Sequence, residues 1–421
     1  MASGRDTKHG VLVGNPGGVP EFSGIVAGLA RAEMLDAYVT SATASVGGPL
    51  GAIAHAPGPI GRSVQSALSR RQDPPGVSPD RIRHKGVWLE LARVASRRIP
   101  PPRLAKALFA RSLAFRNRRF DRALARQLNE RHAAVIGAAI GSLSTFRRAR
   151  ELSVTSFLQY PIAHYLLTQR LLQEEASLQP SYAGTLQYET LPRRLLQRID
   201  DEIAIADYIF AVSTFHGRSL LEAGVPEGKL VHIPLGVDPE LFSPRPQSDD
   251  GRFRVIFVGK ITQRKGISYL LDGFEAAALP DTELLLVGAP VGSTTPWRER
   301  PRVRHVPPRP RAELPALYAT ADVYVLPSLV EGFPLTALEA MACGLPVIVS
   351  EHTFAWDVVE DGVNGYVVPI RDARAIAERL RELHADPGKR AEMGRAARRT
   401  AEEFSWERYG ERIATAVMER A

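Results

Sequence analysis

Hydrophobic positions in the first half of the chain alternate between short continuous runs and runs at helical spacing. At the start, the apolar run Val11–Val13 predicts a strand, Gly14–Gly18 a turn, and the spacing over Ile25–Met34 a helix. Four later apolar runs predict buried parallel strands at Ala133–Ile136, Val154–Leu158, Tyr208–Val212 and Leu230–Ile233. Because helical patterns fill the intervals, this half is predicted to consist of successive β-α units.

The second half repeats this alternation after a Pro-rich polar stretch, Pro239–Gly251. Its first strand is predicted at Phe253–Val258, followed by Gly259, a short loop and a helix from Gly266. Further strands are predicted at Glu283–Val287, Asp322–Leu326 and Pro346–Val349. We therefore assign the chain to the α/β class, with two doubly wound, Rossmann-like domains at residues 1–238 and 239–405. Ligands of such sheets bind at the carboxyl ends of the strands, so a site is expected in the cleft between the domains.

A basic arm interrupts the first half. Residues 47–79 are rich in Gly, Pro and Ser and predict a loop, whereas Arg103–Leu128 predicts one or two amphipathic basic helices. Between Arg62 and Arg126 there are 17 basic and four acidic side chains, although the whole chain has a net charge of only +8. This arm suits anionic lipid, nucleic acid or a phosphorylated substrate, and a solvated Arg-rich helix surface explains the charge equally well.

The apolar residues of the arm allow two interpretations, membrane binding or packing within the domain. They are Trp88, Leu89, Leu91, Val94, Leu104, Leu108, Phe109, Leu113, Phe115 and Phe120. A helix with one basic and one apolar face binds at a membrane interface, or else packs its apolar face on the domain's own sheet. The arm lacks the interleaved aromatic residues of a nucleic-acid site, so that partner ranks last.

Composition narrows the location of the protein. No apolar run approaches the roughly 18–20 residues of a membrane helix, and the polar start of the chain lacks the apolar centre of a signal peptide. Cys343 is the only cysteine, and a single cysteine excludes an intrachain disulfide. We interpret Cys343 as a small packed residue. We therefore expect a cytoplasmic protein, with peripheral attachment to the inner face of the membrane if the arm binds lipid.

The densest chemical signal is the string Glu331–Pro346, EGFPLTALEAMACGLP. Pro334 suits the first turn of a helix that runs to about Cys343, where Gly344 and Pro346 end it. First-turn amides lack intrahelical partners, so this helix presents N–H donors to a phosphate.

Two carboxylates flank those donors. Glu339 lies about a turn and a half into the helix, where a carboxylate can accept two hydrogen bonds from a ribose diol. Glu331 lies before the helix, nearer the reacting end.

A second string, Val258–Gly266, places Gly259 and two cations, Lys260 and Lys265, on a strand-to-helix turn. A diphosphate leaving group gains negative charge as its bond breaks, and fixed cations stabilise that transition state more than the ground state. Two lysines beside a glycine also occur in ordinary solvated turns, so this string gains weight only together with the first.

Together the two strings resemble the retaining glycosyltransferases of GT-B architecture, group 1 or family 4, whose hallmark is a Glu, seven residues and a second Glu. Here these are Glu331 and Glu339. The resemblance continues through Ile203–Phe215, Gly224–Pro226, Ile233–Asp238, Asp361–Gly365 and Phe404–Trp406. It is close from about residue 200 to 410, and before residue 150 it is limited to Gly17 and Gly18.

The resemblance implies a role for each matching residue. Lys260, where arginine is commoner, and Lys265 would hold the diphosphate, and Glu339 the ribose. Glu331 with the backbone of Phe333, Pro334, Leu335 and Thr336 would hold sugar hydroxyls and the distal phosphate. The backbone of Val306 to Arg309 would border the base of the donor. Gly17 and Gly18 would border the donor from the N-terminal domain. His164 is the candidate for a histidine beside the donor sugar, the alternative being a helix N-terminal histidine without substrate contact.

The same resemblance implies a UDP-sugar or GDP-sugar donor, retention of anomeric configuration, no metal ion or other cofactor, and a glycan or lipid-linked acceptor. We assign no covalent nucleophile. It also implies that a C-terminal helix at about residues 406–421 packs back on the first domain. A nucleotide-sugar epimerase on the same fold and a non-catalytic nucleotide-sugar-binding relative remain alternatives.

Overall fold

The computed structural model describes residues 9–17, 20–43, 73–85, 102–186, 192–246, 251–292, 297 and 300–421, with the backbone alone for 102–111. Gly18 and the stretch from Trp88 to Val94 lie outside these ranges. So do the side chains of Leu104, Leu108 and Phe109.

The first half of the described chain forms a parallel sheet with helices on both faces. Its strands are β1 (Val11–Asn15), β2 (Leu35–Thr40), β3 (Ile82–His84), β4 (Ala134–Ala138), β5 (Thr155–Gln159), β6 (Tyr208–Ala211) and β7 (Leu230–His232). Its helices are α1 (Pro20–Arg31), α2 (Pro102–Ala125), α3 (Leu143–Glu151), α4 (Tyr165–Leu178), α5 (Arg193–Ile205) and α6 (Thr214–Glu222). Short 3-10 turns lie at Pro79–Arg81, Pro180–Thr185 and Glu227–Lys229.

The second half forms another parallel sheet. Its strands are β8 (Phe253–Val258), β9 (Thr282–Val287), β10 (Val303–Val306), β11 (Val323–Leu326), β12 (Val347–Ser350) and β13 (Gly365–Val368). Its helices are α7 (Ile267–Ala277), α8 (Leu314–Tyr318), α9 (Leu335–Ala342), α10 (Ala355–Val358), α11 (Ala373–Ala385) and α12 (Pro387–Glu402). Two 3-10 turns, Gln263–Lys265 and Arg311–Glu313, precede α7 and α8.

Both sheets are doubly wound. Within the described residues the strand orders are β3-β2-β1-β4-β5-β6-β7 and β10-β9-β8-β11-β12-β13, with every pairing parallel. Order reverses beside β1 and β8, and such switch points open a crevice at the carboxyl ends of the strands. The α/β class and the two Rossmann-like sheets are thus confirmed, and the predicted boundary at residues 238/239 falls between β7 and β8.

The last helix, α13 (Trp406–Met418), returns to the first half. The amide of Val237 donates to Phe404 O at 2.7 Å, which aligns the chain for this crossover. α13 then packs on α1, where a Cβ on Gly28 would lie 2.3 Å from Gly410 Cα. Two glycines therefore allow the helix backbones to touch.

The bounds of several elements differ from those predicted. The first helix begins at Pro20, which suits a first turn, and ends at Arg31 rather than Met34. The next residues form β2, a strand that the sequence pattern did not indicate, and β3, β10 and β13 were likewise missed. The remaining predicted strands are displaced by one or two residues at most.

Part of the basic arm is now placed. α2 is a single helix, and its Phe120 and Leu124 are buried against the first sheet, with Leu124 touching β1 at Gly14. Phe115 is exposed. Over this stretch the apolar face therefore packs mainly on the sheet. Among the described helices, none is long and apolar enough to span a membrane.

Candidate active site

The carboxyl ends of β8, β9 and β11 converge in the second half. Gly266, at φ +71°, lies so close to the end of β11 that a Cβ would be 1.9 Å from Pro327 O. Gly259 and Gly288, which follow β8 and β9, meet in the same way, at 1.8 Å. Only glycines permit this approach, and it brings the Val258–Gly266 turn against the loop that carries Glu331.

Glu331 lies at the centre of a buried ion cluster. Its Oε1 is 2.5 Å from Lys265 Nζ and 2.8 Å from Arg264 Nη1, and Ser328 donates to it at 3.4 Å. Arg264 also donates to Val330 O at 2.9 Å. The two predicted residues Glu331 and Lys265 are therefore brought into direct contact, and Arg264 is a third member that the sequence analysis missed.

The cluster perturbs the titration of both partners. Burial lowers the pKa of Lys265, because the ammonium loses hydration, although Glu331 opposes this effect. Burial acts to raise the pKa of Glu331, but Arg264 and Lys265 outweigh it and hold that pKa below its usual value. The site therefore groups two basic side chains around one carboxylate, an arrangement suited to binding an anion.

Lys260 lies apart from this cluster. It follows Gly259 at the end of β8 and is exposed. Across the ranges that the structure describes, its ammonium has no ion-pair partner, so it remains available to a ligand at this sheet edge.

The helix α9 begins where the string predicted, with Pro334 as its N-cap and Cys343 as its C-cap. Phe333 is buried just before it. Within the described structure, the amides of Leu335 and Thr336 have no acceptor, as expected for a first turn. The Thr336 hydroxyl is hydrogen-bonded to Tyr324 Oη at 2.8 Å, which fixes this turn on β11.

Glu339 is buried in α9 and paired with a residue that the sequence analysis did not single out. Arg311 Nε donates to Glu339 Oε1 at 2.9 Å, and the guanidinium stacks 5.0 Å above the Phe242 ring. Burial raises the pKa of Glu339 to about 7, with Arg311 opposing it. No motif spacing links residues 311 and 339; only the fold brings them together.

Val306 ends β10 and accepts a hydrogen bond from Gly288 N at 2.9 Å, which places it beside the Gly259–Gly288 contact. Arg309 is half-exposed, 3.9 Å from Glu313. Val306 thus borders the same crevice, whereas nothing orients Arg309 towards it.

The first half meets this site through the loops after β5 and β6. A Cβ on Gly332 would lie 2.0 Å from Pro161 O, and Ser213 Oγ donates to Gly332 O at 2.7 Å. The candidate site is therefore closed on one side by the N-terminal sheet.

His164 caps α4. Its Nδ1 accepts from Leu166 N at 3.4 Å, its Nε2 lies 4.0 Å from Asp200, and burial lowers its pKa. The geometry matches the structural alternative weighed for this residue, and a substrate contact stays a prediction. Gly17 donates to Asn15 Oδ1 at 2.8 Å in the loop after β1, also at the carboxyl edge.

Among the described residues, no group of three His, Cys, Asp or Glu side chains is arranged to hold a metal ion.

Comparison with known proteins finds a family model that matches the second half of the chain. Residues 239–400 match the family model described as glycosyl transferases group 1. The chain therefore carries a group 1 glycosyltransferase domain, and its two facing parallel sheets form the GT-B fold.

Relatives share that region. A D-inositol 3-phosphate glycosyltransferase of Salinispora tropica is 37% identical over 188 residues, 38% of either chain. A GDP-mannose-dependent alpha-(1-6)-phosphatidylinositol monomannoside mannosyltransferase of Mycolicibacterium smegmatis is 33% identical over 250 residues, 53% of this chain and 64% of the relative. The matches span less than two thirds of these relatives' own length.

Solved structures share the fold across nearly the whole chain. Sucrose-phosphate synthase from Thermosynechococcus elongatus superposes with a TM-score of 0.60 at 20% identity, covering 98% of both chains. Anabaena HepE in complex with UDP-glucose superposes with a TM-score of 0.60 at 16% identity, covering 97% of this chain and 99% of that one.

Proposed function

We propose that the protein is a retaining glycosyltransferase that moves a sugar from a nucleoside diphosphate, as a UDP-sugar or GDP-sugar, to a glycan or lipid-linked acceptor. The observation that carries the proposal is the buried Lys265–Glu331–Arg264 cluster at the carboxyl ends of β8 and β11. It lies within the group 1 domain and beside the free first-turn amides of α9.

The diphosphate is proposed to bind between the two cationic positions and the helix. Lys265 and Lys260 stabilise the charge that develops on the departing phosphate, and the amides of Leu335 and Thr336 donate to its oxygens. Because Lys265 is already held by Glu331, little reorganisation is needed when the bond breaks. The reaction then needs no metal ion, since protein cations supply the positive charge.

The nucleoside extends from there along α9. Glu339 accepts from the ribose diol, and the base lies over the Gly259–Gly288 contact beside Val306. Glu331 also faces the transferred sugar, whose hydroxyls compete with Lys265 for its oxygens. We assign no covalent nucleophile.

The acceptor is proposed to occupy the N-terminal half. The similar Mycolicibacterium protein is a phosphatidylinositol monomannoside mannosyltransferase, which supports the proposal of a lipid-linked acceptor. We propose a cytoplasmic enzyme that associates peripherally with anionic membrane through the exposed arginines of α2. Nucleic acid is not proposed as a partner.

One experiment separates this function from its alternatives. The protein is incubated with a panel of nucleotide sugars, with and without EDTA, and the released nucleoside diphosphate is measured. We expect release with one donor class, unaffected by EDTA and lost in Lys265→Ala. Lys85 is exposed and directly follows β3. The variant Lys85→Ala is therefore the control and should behave as wild type.

Other outcomes point elsewhere. Conversion of the nucleotide sugar without nucleoside diphosphate release would indicate an epimerase. Tight nucleotide binding without any turnover would indicate a binding protein. Activity that EDTA abolishes and Mg²⁺ restores would contradict the metal-free mechanism.

A further inference from the structure

An arginine-lined groove lies on the N-terminal half, outside the site described above. Its volume is about 560 Å³, and its walls are Arg118 from α2 and Arg193, Arg194, Gln197 and Asp201 from α5. Leu143, at the start of α3, and Arg198 complete the lining.

Three of the four arginines in this arginine groove are uncommitted. Within the described residues, Arg118, Arg193 and Arg194 make no ion pair or hydrogen bond, and all three are exposed. The carboxylate in the lining, Asp201, accepts from Gln197 Nε2 at 3.1 Å. The groove therefore has a local excess of positive charge, which costs free energy until an anion occupies it.

The fourth arginine is structural. Arg198 donates to Asp121 at 2.6 Å and lies 3.1 Å from Glu202. These two carboxylates, both fully buried, accept from the amides at the start of α3: Glu202 from Ser142 and Leu143, and Asp121 from Ser144 and Thr145.

The hydrogen bonds of Asp121 and Glu202 determine which donors of the groove are free for a ligand. The N-terminal amides of α3 are already occupied, so the helix end offers no donor. The free donors are instead the three exposed guanidinium groups, and the hydrogen-bonded Arg198 lines the same groove. Guanidinium forks match the oxygens of phosphate, and their planar geometry favours bidentate contact.

The helix α5, which forms one wall of the groove, also contacts the loop that borders the candidate active site. Asp200, beside Asp201 on α5, accepts from Tyr165 Oη at 2.9 Å and lies 4.0 Å from His164 Nε2. The same β5–α4 loop carries Pro161, which touches Gly332 next to Glu331. The groove and the candidate site are thus connected through α5 and the β5–α4 loop.

We propose that the arginine groove binds a phosphate monoester carried by the acceptor, and so positions the acceptor for transfer. This inference rests on the proposed function for its purpose, but binding of the phosphate does not require turnover. The phosphate comes either from a soluble phosphorylated polyol or from a lipid head group. Both present a dianion to three cations, and the two sources are separable by experiment.

The test compares two double variants of equal charge change in the full chain. Arg193→Ala with Arg194→Ala removes two groove arginines. Arg126→Ala with Arg147→Ala removes two exposed arginines from the neighbouring depression, which contains the Arg148–Glu151 ion pair. Circular dichroism checks that both variants fold.

Two probes carry the same phosphate chemistry. Glycerol 3-phosphate is titrated by calorimetry, and phosphatidylcholine vesicles with or without phosphatidic acid are used in flotation. We expect the groove variant to weaken binding about tenfold or more, as for lost charged hydrogen bonds, while the control keeps wild-type affinity. If the groove variant binds glycerol 3-phosphate more weakly than wild type, the acceptor is soluble. If only its binding to vesicles with phosphatidic acid is weakened, the acceptor is lipid-borne.

The result that overturns the proposal is equal weakening in both variants, since that is general charge attraction, or no binding to either probe. Affinity for nucleoside diphosphate is measured in the same samples. A groove variant that still binds nucleoside diphosphate fails only in the acceptor site. A wild type that binds glycerol 3-phosphate but no nucleotide leaves the groove standing and contradicts the proposed function.

Discussion

Lys265 and Glu331 each counter the effect of burial on the pKa of the other. Desolvation lowers the pKa of Lys265 and acts to raise that of Glu331, and their 2.5 Å contact opposes both effects. Arg264 adds a second basic group 2.8 Å from Glu331, so the cluster has a surplus of basic side chains over carboxylates. A diphosphate binding there offsets that surplus.

Removing Lys265 should therefore reduce turnover far more than folding. We expect Lys265→Ala to lower kcat on the order of 100-fold, as for a lost electrostatic stabiliser. Steady-state kinetics with the working donor measures this, and chemical denaturation monitors the fold. Lys85→Ala is the matched control, and a wild-type kcat in Lys265→Ala would remove this residue from the mechanism.

Glu339 makes donor binding depend on pH. Its pKa, raised to about 7 by burial, means that the carboxylate needed by a ribose diol is lost as the pH falls below neutrality. We expect the KM for nucleotide sugar to rise about tenfold from pH 8 to pH 6, following the ionised fraction. A nucleotide sugar has no terminal phosphate monoester to titrate in this range, which isolates the protein's contribution.

Two variants test the assignment of that pH dependence. Glu339→Gln should give a high KM that no longer varies with pH, and Arg311→Ala should move the rise to higher pH. The stability of the unliganded fold runs the opposite way: a carboxyl whose folded pKa is raised favours folding when protonated, so this contribution is lost as pH rises through about 7. A pH-dependent KM that persists in Glu339→Gln would assign the titration to another group.

The motif residues of the candidate site could be predicted from the sequence, whereas the arginines that pair with them could not. Glu331, Glu339 and Lys265 were predicted because they lie in two local strings that together resemble the motifs of a known family. Arg264 and Arg311 were not, since each acquires its role from a partner 67 or 28 positions away in sequence. Long-range ion pairs leave no local pattern to detect.

At the scale of elements, the turn Gln263–Lys265 depends on Gly266. A left-handed φ of +71° and the Pro327 carbonyl at 1.9 Å from a would-be Cβ both exclude a side chain. We expect Gly266→Ala to reduce the free energy of unfolding by about 2 kcal/mol or more, through backbone strain and overpacking. Urea denaturation measures the change.

Gly228 supplies the control for that substitution. It also lies in a 3-10 turn, but a Cβ there would meet nothing within 4 Å. Gly228→Ala should therefore stay near wild-type stability. If Gly266→Ala is as stable as the wild type, the turn can move to accommodate a side chain. Lys265 would then not be held in position by this turn.

Elements with both faces covered were the most predictable. β8, β11 and β12 are entirely buried, and their sequences are apolar apart from Arg254 in β8 and Ser350 at the end of β12. β3 contains only Ile82, Arg83 and His84 at a sheet edge, where polar residues cost little. Such short edge strands are defined by pairing with a neighbour, and composition alone does not reveal them.

At the scale of the whole molecule, polar contacts join the two halves around the candidate site. Asp357 of α10 accepts from Thr214 N and Oγ1 at the start of α6, at 2.9 and 2.7 Å. Ser213 donates to Gly332, directly after Glu331. The position of the loop that carries Glu331 is therefore tied to that of the N-terminal sheet.

Glu175 makes a further connection of this kind. This fully buried residue of α4 accepts from three groups of the other half: Gln263 Nε2 at 2.6 Å, Tyr269 Oη at 2.9 Å and Arg371 Nε at 2.8 Å. Gln263 also caps α7 through Ser268 N and precedes Arg264 and Lys265 in the same turn. The N-terminal half thus holds the turn that carries the proposed leaving-group cations.

Glu175→Gln should therefore weaken both the interface and catalysis. The neutral amide leaves Arg371 without its buried charge partner, for which we expect a loss of about 3 kcal/mol in the free energy of unfolding. Because the turn loses an anchor, kcat should fall while the affinity for nucleoside diphosphate changes little. The adjacent Glu174, half-exposed and 3.2 Å from Arg371, gives the control Glu174→Gln, which should lose less than about 1 kcal/mol, as for a surface ion pair. Denaturation, calorimetry and kinetics on the two variants decide the matter: if Glu175→Gln loses stability but keeps its kcat, the network only holds the halves together and does not position Lys265.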